Sequence, residues 1–213
     1  MQDIIEFGRR ESPAPRPQSL AFDGDWLWMG SIETERIYGI DPVHWSVREE
    51  HAAPGKPWGM AVVGNELRVI CGEGSDDDRY IRRFVPGHGF KSGDAIACPD
   101  FTGSQLGFDG SRLWVSQWYN RKLLALDAHG TVEKTIDVPH GICGQVIVNG
   151  AFLLMTTDDE AGSDFFVTEV RDGKSRDVAR VPLQARALAY DGRCFWTNHR
   201  ERNEIVVFNL PTE

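Results

Sequence analysis

The chain has 213 residues, 41% of them hydrophobic and 26% charged, which suits one large domain or two small ones with a real core and argues against a disordered chain. Lys and Arg number 23 against 32 Asp and Glu, a formal charge of −9, the wrong sign for a protein whose main partner is a phosphate backbone or an anionic membrane. No run of about 18 apolar residues occurs and Met1–Phe7 has no basic stretch followed by an apolar core, so a soluble, cytoplasmic chain with neither nucleic-acid nor membrane partners is expected.

The first apolar run, Asp3-Ile4-Ile5-Glu6-Phe7, has no counterpart in the rest of the chain. A phrase then begins at Leu20-Ala21-Phe22-Asp23-Gly24 with Leu27-Trp28, and returns as Leu106 to Gly110 with Leu113-Trp114 and as Leu188 to Gly192 with Phe195-Trp196. Weaker copies run from Met60 to Gly64 and from Val146 to Gly150. The five glycines are separated by 40, 46, 40 and 42 residues. Each copy is an alternating run ending in a turn that tolerates positive φ, then a β-branched and aromatic run, then two further short runs such as Lys122–Asp127 and Thr131–Ile136. Ser111–His129 lacks Gly and Pro, but its apolar residues fall in two short blocks, which fits two strands better than a helix.

Four short strands per 42 residues define the blade of a β-propeller, and the predicted fold is all-β, five-bladed and single-domain. The blades are expected at about 18–54, 57–99, 103–139, 143–182 and 185–211. The last has only three strands of its own, so the N-terminal run 3–7 is expected to complete it and close the ring. Cys71, Cys98, Cys143 and Cys194 show neither CxxC spacing nor the density of a disulfide scaffold, and read as free thiols.

In a propeller the first strand of each blade lines the channel, and the hairpins after it share one face, the bottom. Asp23, Asp109 and Asp191 are therefore expected to serve turns, and Trp28, Trp114 and Trp196 to pack between blades. Chemistry is expected on the opposite, top face, where the repeats break their own rule. The residues gathered there are Gln18, Trp58, Gln105, Trp118, His140, Gln145, Arg186 and Asn198: aromatic walls, orienting amides and a cation suited to a small polar metabolite. Glu33 and Glu73, each nine residues after a hairpin glycine, and His199 are the proton-transfer candidates. The acidic runs Asp76–Asp78 and Asp158–Glu160 lack the alternating oxygen spacing of a calcium loop, so calcium is a secondary expectation and no cofactor or metal site is predicted. HExxH, GxSxG and Walker-type motifs are absent, which disfavours a zinc protease, a serine hydrolase and an NTPase.

The phrase Leu-x-Phe-Asp-Gly-x-x-Leu-Trp-Val-Ser, followed by Leu-x-x-Leu-Asp, resembles that of the propellers that include virginiamycin B lyases, gluconolactonase-like lactonases, NHL-repeat proteins and the plant and bacterial type of glutaminyl-peptide cyclotransferase. The resemblance spans essentially the whole chain, and the five blades of the cyclotransferases match it best. It implies a lyase, cyclase or lactonase acting on a small molecule, with a non-catalytic binding propeller as the alternative. Gln18 falls where the cyclotransferases have a Gln just before Gly-Leu in their first strand; Met29, Trp58 and Gln145 fall where they have acids.

Overall fold

Alternating apolar and polar residues between turn signals make short strands, and consecutive strands pair antiparallel into sheets of four. The computed structural model describes residues 1–211, apart from the side chain of Asp94. After the N-terminal strand β1 (Ile5–Glu11), blade 1 is β2 (Pro17–Phe22), β3 (Leu27–Ser31), β4 (Arg36–Asp41) and β5 (Ser46–Ala52). Blade 2 is β6 (Lys56–Val63), β7 (Glu66–Glu73), β8 (Asp78–Val85) and β9 (Gly89–Ala97); blade 3 is β10 (Gln105–Phe108), β11 (Leu113–Gln117), β12 (Lys122–Leu126) and β13 (Val132–Asp137). Blade 4 is β14 (Gly141–Val148), β15 (Ala151–Thr157), β16 (Phe165–Arg171) and β17 (Lys174–Val181), and blade 5 is β18 (Ala185–Tyr190), β19 (Phe195–His199) and β20 (Glu204–Asn209) completed by β1. Among the described residues no helix is long and apolar enough to cross a membrane.

The closing strand starts later than the sequence suggests, at Ile5, and pairs with β20 from Ile5↔Asn209 to Glu11↔Glu204. Residues 2–4 are diverted outward. The Ile4 amide donates to the Arg180 carbonyl and the Arg180 amide to that of Gln2, both at 2.9 Å, and the Asp3 carboxylate pairs with the Arg180 guanidinium at 2.7 Å. Ile4 has a reason to go there, because its side chain is buried in the core between blades 4 and 5.

Each of the five apolar clusters sits between two neighbouring blades. Trp28 packs between blades 1 and 2, Trp114 between 3 and 4, and Trp196 between 5 and 1. Their hairpin aspartates do more than shape turns. One carboxylate oxygen of Asp23, Asp109 or Asp191 accepts two turn amides, and the other accepts the indole N–H of the tryptophan five residues on, at 2.6, 2.8 and 2.8 Å. Blades 2 and 4 have two-residue turns without Asp, and Arg68 and Leu153 replace the tryptophan there. Tryptophan and turn aspartate therefore come and go together, because a buried indole N–H needs an acceptor.

Burial alone would raise the Asp109 carboxyl, but hydrogen bonds from Trp114 and the turn amides outweigh it and hold the group at about 2. Asp109→Ala leaves the Trp114 indole N–H without its acceptor and is expected to cost about 1–2 kcal/mol, discounted for the exposed carboxylate, by urea denaturation at pH 7. Because the folded-state value is depressed, the wild-type advantage is expected to hold above about pH 4 and fade as pH falls toward 2. Equal stability of the two proteins at pH 7 would refute this dual role.

Candidate functional site

Five inner strands converging on one axis leave little room, and glycine or alanine stands where they come closest. A Cβ on Gly59 would lie 2.6 Å from the Gln105 backbone, and one on Gly144 2.5 Å from that of Ala187. In blades 1, 2, 4 and 5 the inner strand is also bulged near its top, which re-aims side chains there.

On the top face, three residues expected in the site do meet where blades 4, 5 and 1 adjoin. Arg186 is buried: its Nη1 donates to the Ala185 carbonyl at 2.8 Å, its Nη2 to the Glu160 carboxylate at 3.1 Å, and its guanidinium lies over the Phe165 ring. Opposite it in the strand ladder is Asn198, fully buried with neither amide atom hydrogen-bonded to any described residue; Arg186 Nε is also unpartnered. Gln18 accepts from Arg200 Nη1 at 3.0 Å, and Arg200 in turn lies 4.0 Å from Glu160 and pairs with Glu201 at 3.1 Å. Burial and the charge of Arg186 push the Arg200 guanidinium below its usual value despite both glutamates.

Sequence reasoning missed Arg200 and Glu160 as site residues. They sit in second-to-third-strand loops of adjacent blades, and only the expectation that neighbouring loops meet could have paired them. Beside this cluster, residues adjoining it in the chain (Ala161–Ser163, Pro182–Gln184, Glu201 and Arg202) border a hollow of about 480 Å³ that also includes His199. His199 Nδ1 is buried and unpartnered, and burial, then the charges of Arg202 and Arg9, lower its pKa.

The remaining expected residues lie elsewhere. Trp58 is no open wall: Arg79 covers its ring at 4.2 Å and its N–H donates to Asp77. Trp118 is half-buried against the core between blades 4 and 5. His140 binds Asp158 at 2.8 Å, with Asp177 at 3.7 Å on its other side. Gln105 donates across the blade interface to the Trp58 carbonyl at 3.1 Å. Glu73 is held by Arg82 through two bonds of 2.6 and 2.7 Å, and Glu33 is exposed. No hydrogen bond links these acids or His199 to Gln105 or Gln145 among the described residues. Nor, among the described residues, does any group of three His, Cys, Asp or Glu converge where a metal ion could sit.

Gln145 belongs to a different level. Blade 2 turns through Gly64-Asn65 and blade 4 through Asn149-Gly150, so aligning the repeats on glycine displaces blade 4 by one residue. In the strand pairing, Gln145↔Leu154 corresponds to Met60↔Val69 and Leu106↔Val115. Gln145 thus joins the apolar ring of Leu20, Met60, Leu106 and Leu188 and lines the lower channel.

No family model matches the chain, and no curated protein is similar to it in sequence. Solved structures share its fold. Hydrazine synthase of Kuenenia stuttgartiensis aligns with a TM-score of 0.56 at 15% identity over 89% of this chain, which spans only 57% of that one. Virginiamycin B lyase from Staphylococcus aureus aligns at 0.54, with 13% identity over 96% of this chain and 99% of the lyase. Glutaminyl cyclase from Myxococcus xanthus aligns at 0.50, with 14% identity, 92% and 74%. At these identities the likeness establishes the propeller fold alone.

The environment of His199 yields a pH test. Its folded-state pKa is lowered, so the unfolded chain takes up the proton first as pH falls below about 6.5 and the folded state loses stability there. Wild type is expected to lose more thermal stability than His199→Gln between pH 7.5 and 5. Parallel pH profiles would show that the imidazole is not held neutral.

Proposed function

We propose that this chain is a small-molecule-binding propeller whose top face takes a compact carboxylate-bearing ligand between blades 4, 5 and 1. The observation that carries this reading is Asn198, fully buried opposite Arg186 with its whole amide unpartnered. An unsatisfied buried amide costs about 1–3 kcal/mol, which a ligand offering both an acceptor and a donor would recover. A hydroxy or amino acid has both. Two arginines close enough to depress one of them favour an added anion, and Glu160, on an exposed loop, occupies the seat that a ligand carboxylate would take.

A second reading, an enzyme of the lyase or cyclase type, is favoured by one observation. His199, whose pKa is lowered by burial and whose Nδ1 has no hydrogen-bond partner among the described residues, borders the same hollow and suits a general base. Turnover of the bound acid that disappears in His199→Gln would establish it.

Calorimetric titration with short hydroxy, amino and dicarboxylic acids tests the binding reading. Saturable binding is expected, weakened about 10- to 100-fold in Arg186→Met, the worth of a charge-assisted hydrogen bond. Glu160→Ala is expected to tighten binding several-fold by removing the internal competitor. Absence of binding across the panel, or indifference to both substitutions, would overturn the proposal.

A further inference from the structure

The seat proposed above is shut. Arg186 and Asn198 are 2% and 0% exposed, so an acid reaches them only after something moves. The loops that join the second and third strands of each blade identify the mover. In blades 1, 2, 3 and 5 they span residues 32–35, 74–77, 118–121 and 200–203, four residues each, whereas in blade 4 the loop spans seven, 158–164. The extra length carries it over to blade 5. The Glu160 carboxylate accepts from Arg186 Nη2 at 3.1 Å, the Glu160 carbonyl lies 3.5 Å from the same nitrogen, and the Ala161 carbonyl accepts from Gln184 Nε2 at 2.7 Å.

What holds the tip of this loop is polar. Six of its seven residues are exposed, Gly162 being half-buried, and none belongs to an apolar cluster. Such a segment opens at low cost. Its neck, by contrast, is fixed. The buried Thr157 Oγ1 lies 3.0 Å from the Asp159 carbonyl and 2.8 Å from that of Asp164, and Asp158 is paired with His140 at 2.8 Å and Arg121 at 3.1 Å. A clamped neck and a tip held by ion pairs are the parts of a hinged flap. The closed state also has a purpose: a buried guanidinium left without a counter-charge is strongly destabilising, and Glu160 supplies that charge while the seat is empty.

We propose that loop 158–164 is a lid over the seat, which lifts as one piece when the carboxylate of an entering acid replaces that of Glu160 on Arg186. The proposal rests on the binding reading above, and adds to it that the loop itself, and not only the Glu160 side chain, bars entry. A bound acid and the closed loop are therefore mutually exclusive, and apparent affinity scales with the fraction of molecules whose loop is open.

The test locks the loop. Ala161→Cys and Gln184→Cys are combined with Cys194→Ser, which removes the one native cysteine that is not buried, and the new pair is joined by a short reducible thiol crosslinker. Calorimetry with glycolate, malate and aspartate follows, before and after reduction. The bridge is expected to weaken binding at least about tenfold and reduction to restore it, which separates a shut lid from a damaged fold. The same loss is expected with Glu160→Ala added, since the bar is the loop. Without ligand, cleavage after Glu160 by a glutamate-specific protease, measured relative to cleavage after the exposed Glu33, is expected to rise about tenfold in Arg186→Met. Equal binding by the bridged and reduced proteins, a loss that vanishes with Glu160→Ala, or unchanged cleavage in Arg186→Met would each overturn the lid and leave the seat standing. Absence of binding even to the reduced protein carrying Glu160→Ala would overturn seat and lid together.

Discussion

Each blade of this protein is apolar on both faces and can bury them only against other blades, so stability depends on closing the ring. The join falls where the two ends of the chain meet. β1 pairs along β20, and without it blade 5 would have three strands and a bare edge. The pairing brings together residues about two hundred positions apart, at a considerable cost in loop-closure entropy. Residues 2–4 add a second hold by pairing with Arg180 in blade 4 and burying Ile4 between blades 4 and 5. The N-terminal segment therefore binds two blades as well as completing one.

Closure at five blades brings the inner strands close to the axis, and this crowding decides what polar side chains can do there. Ser19 donates to the Pro57 carbonyl, Gln105 to that of Trp58 and Gln145 to that of Trp114, each reaching the backbone of a neighbouring blade. Such bonds join blades, and a fully satisfied amide has nothing left for a ligand. The unsatisfied atoms on the inner two strands are the informative ones: both ends of the Asn198 amide, Arg186 Nε, His199 Nδ1 and Gln145 Oε1. The residues that carry them, with Gln145 in its corrected register, are also those that break the repeat.

The period, the blade count and closure by the N-terminal strand were legible because hairpin turns demand Asp, Asn or Gly and so repeat in the sequence. The site was legible only in part, because partners across blades leave no local mark. Glu33 and Glu73 share an offset from the turn glycine, yet Arg82 on the adjacent strand captures Glu73 while Glu33 stays exposed. Trp58 has the chemistry of an open wall, but Arg79 lies over its ring, and nothing in the neighbouring residues announces that cover. Alignment on the turn glycine misplaces Gln145 by one position, because glycine is the first residue of one two-residue turn and the second of the other. Strand pairing, and not the glycine, sets the register.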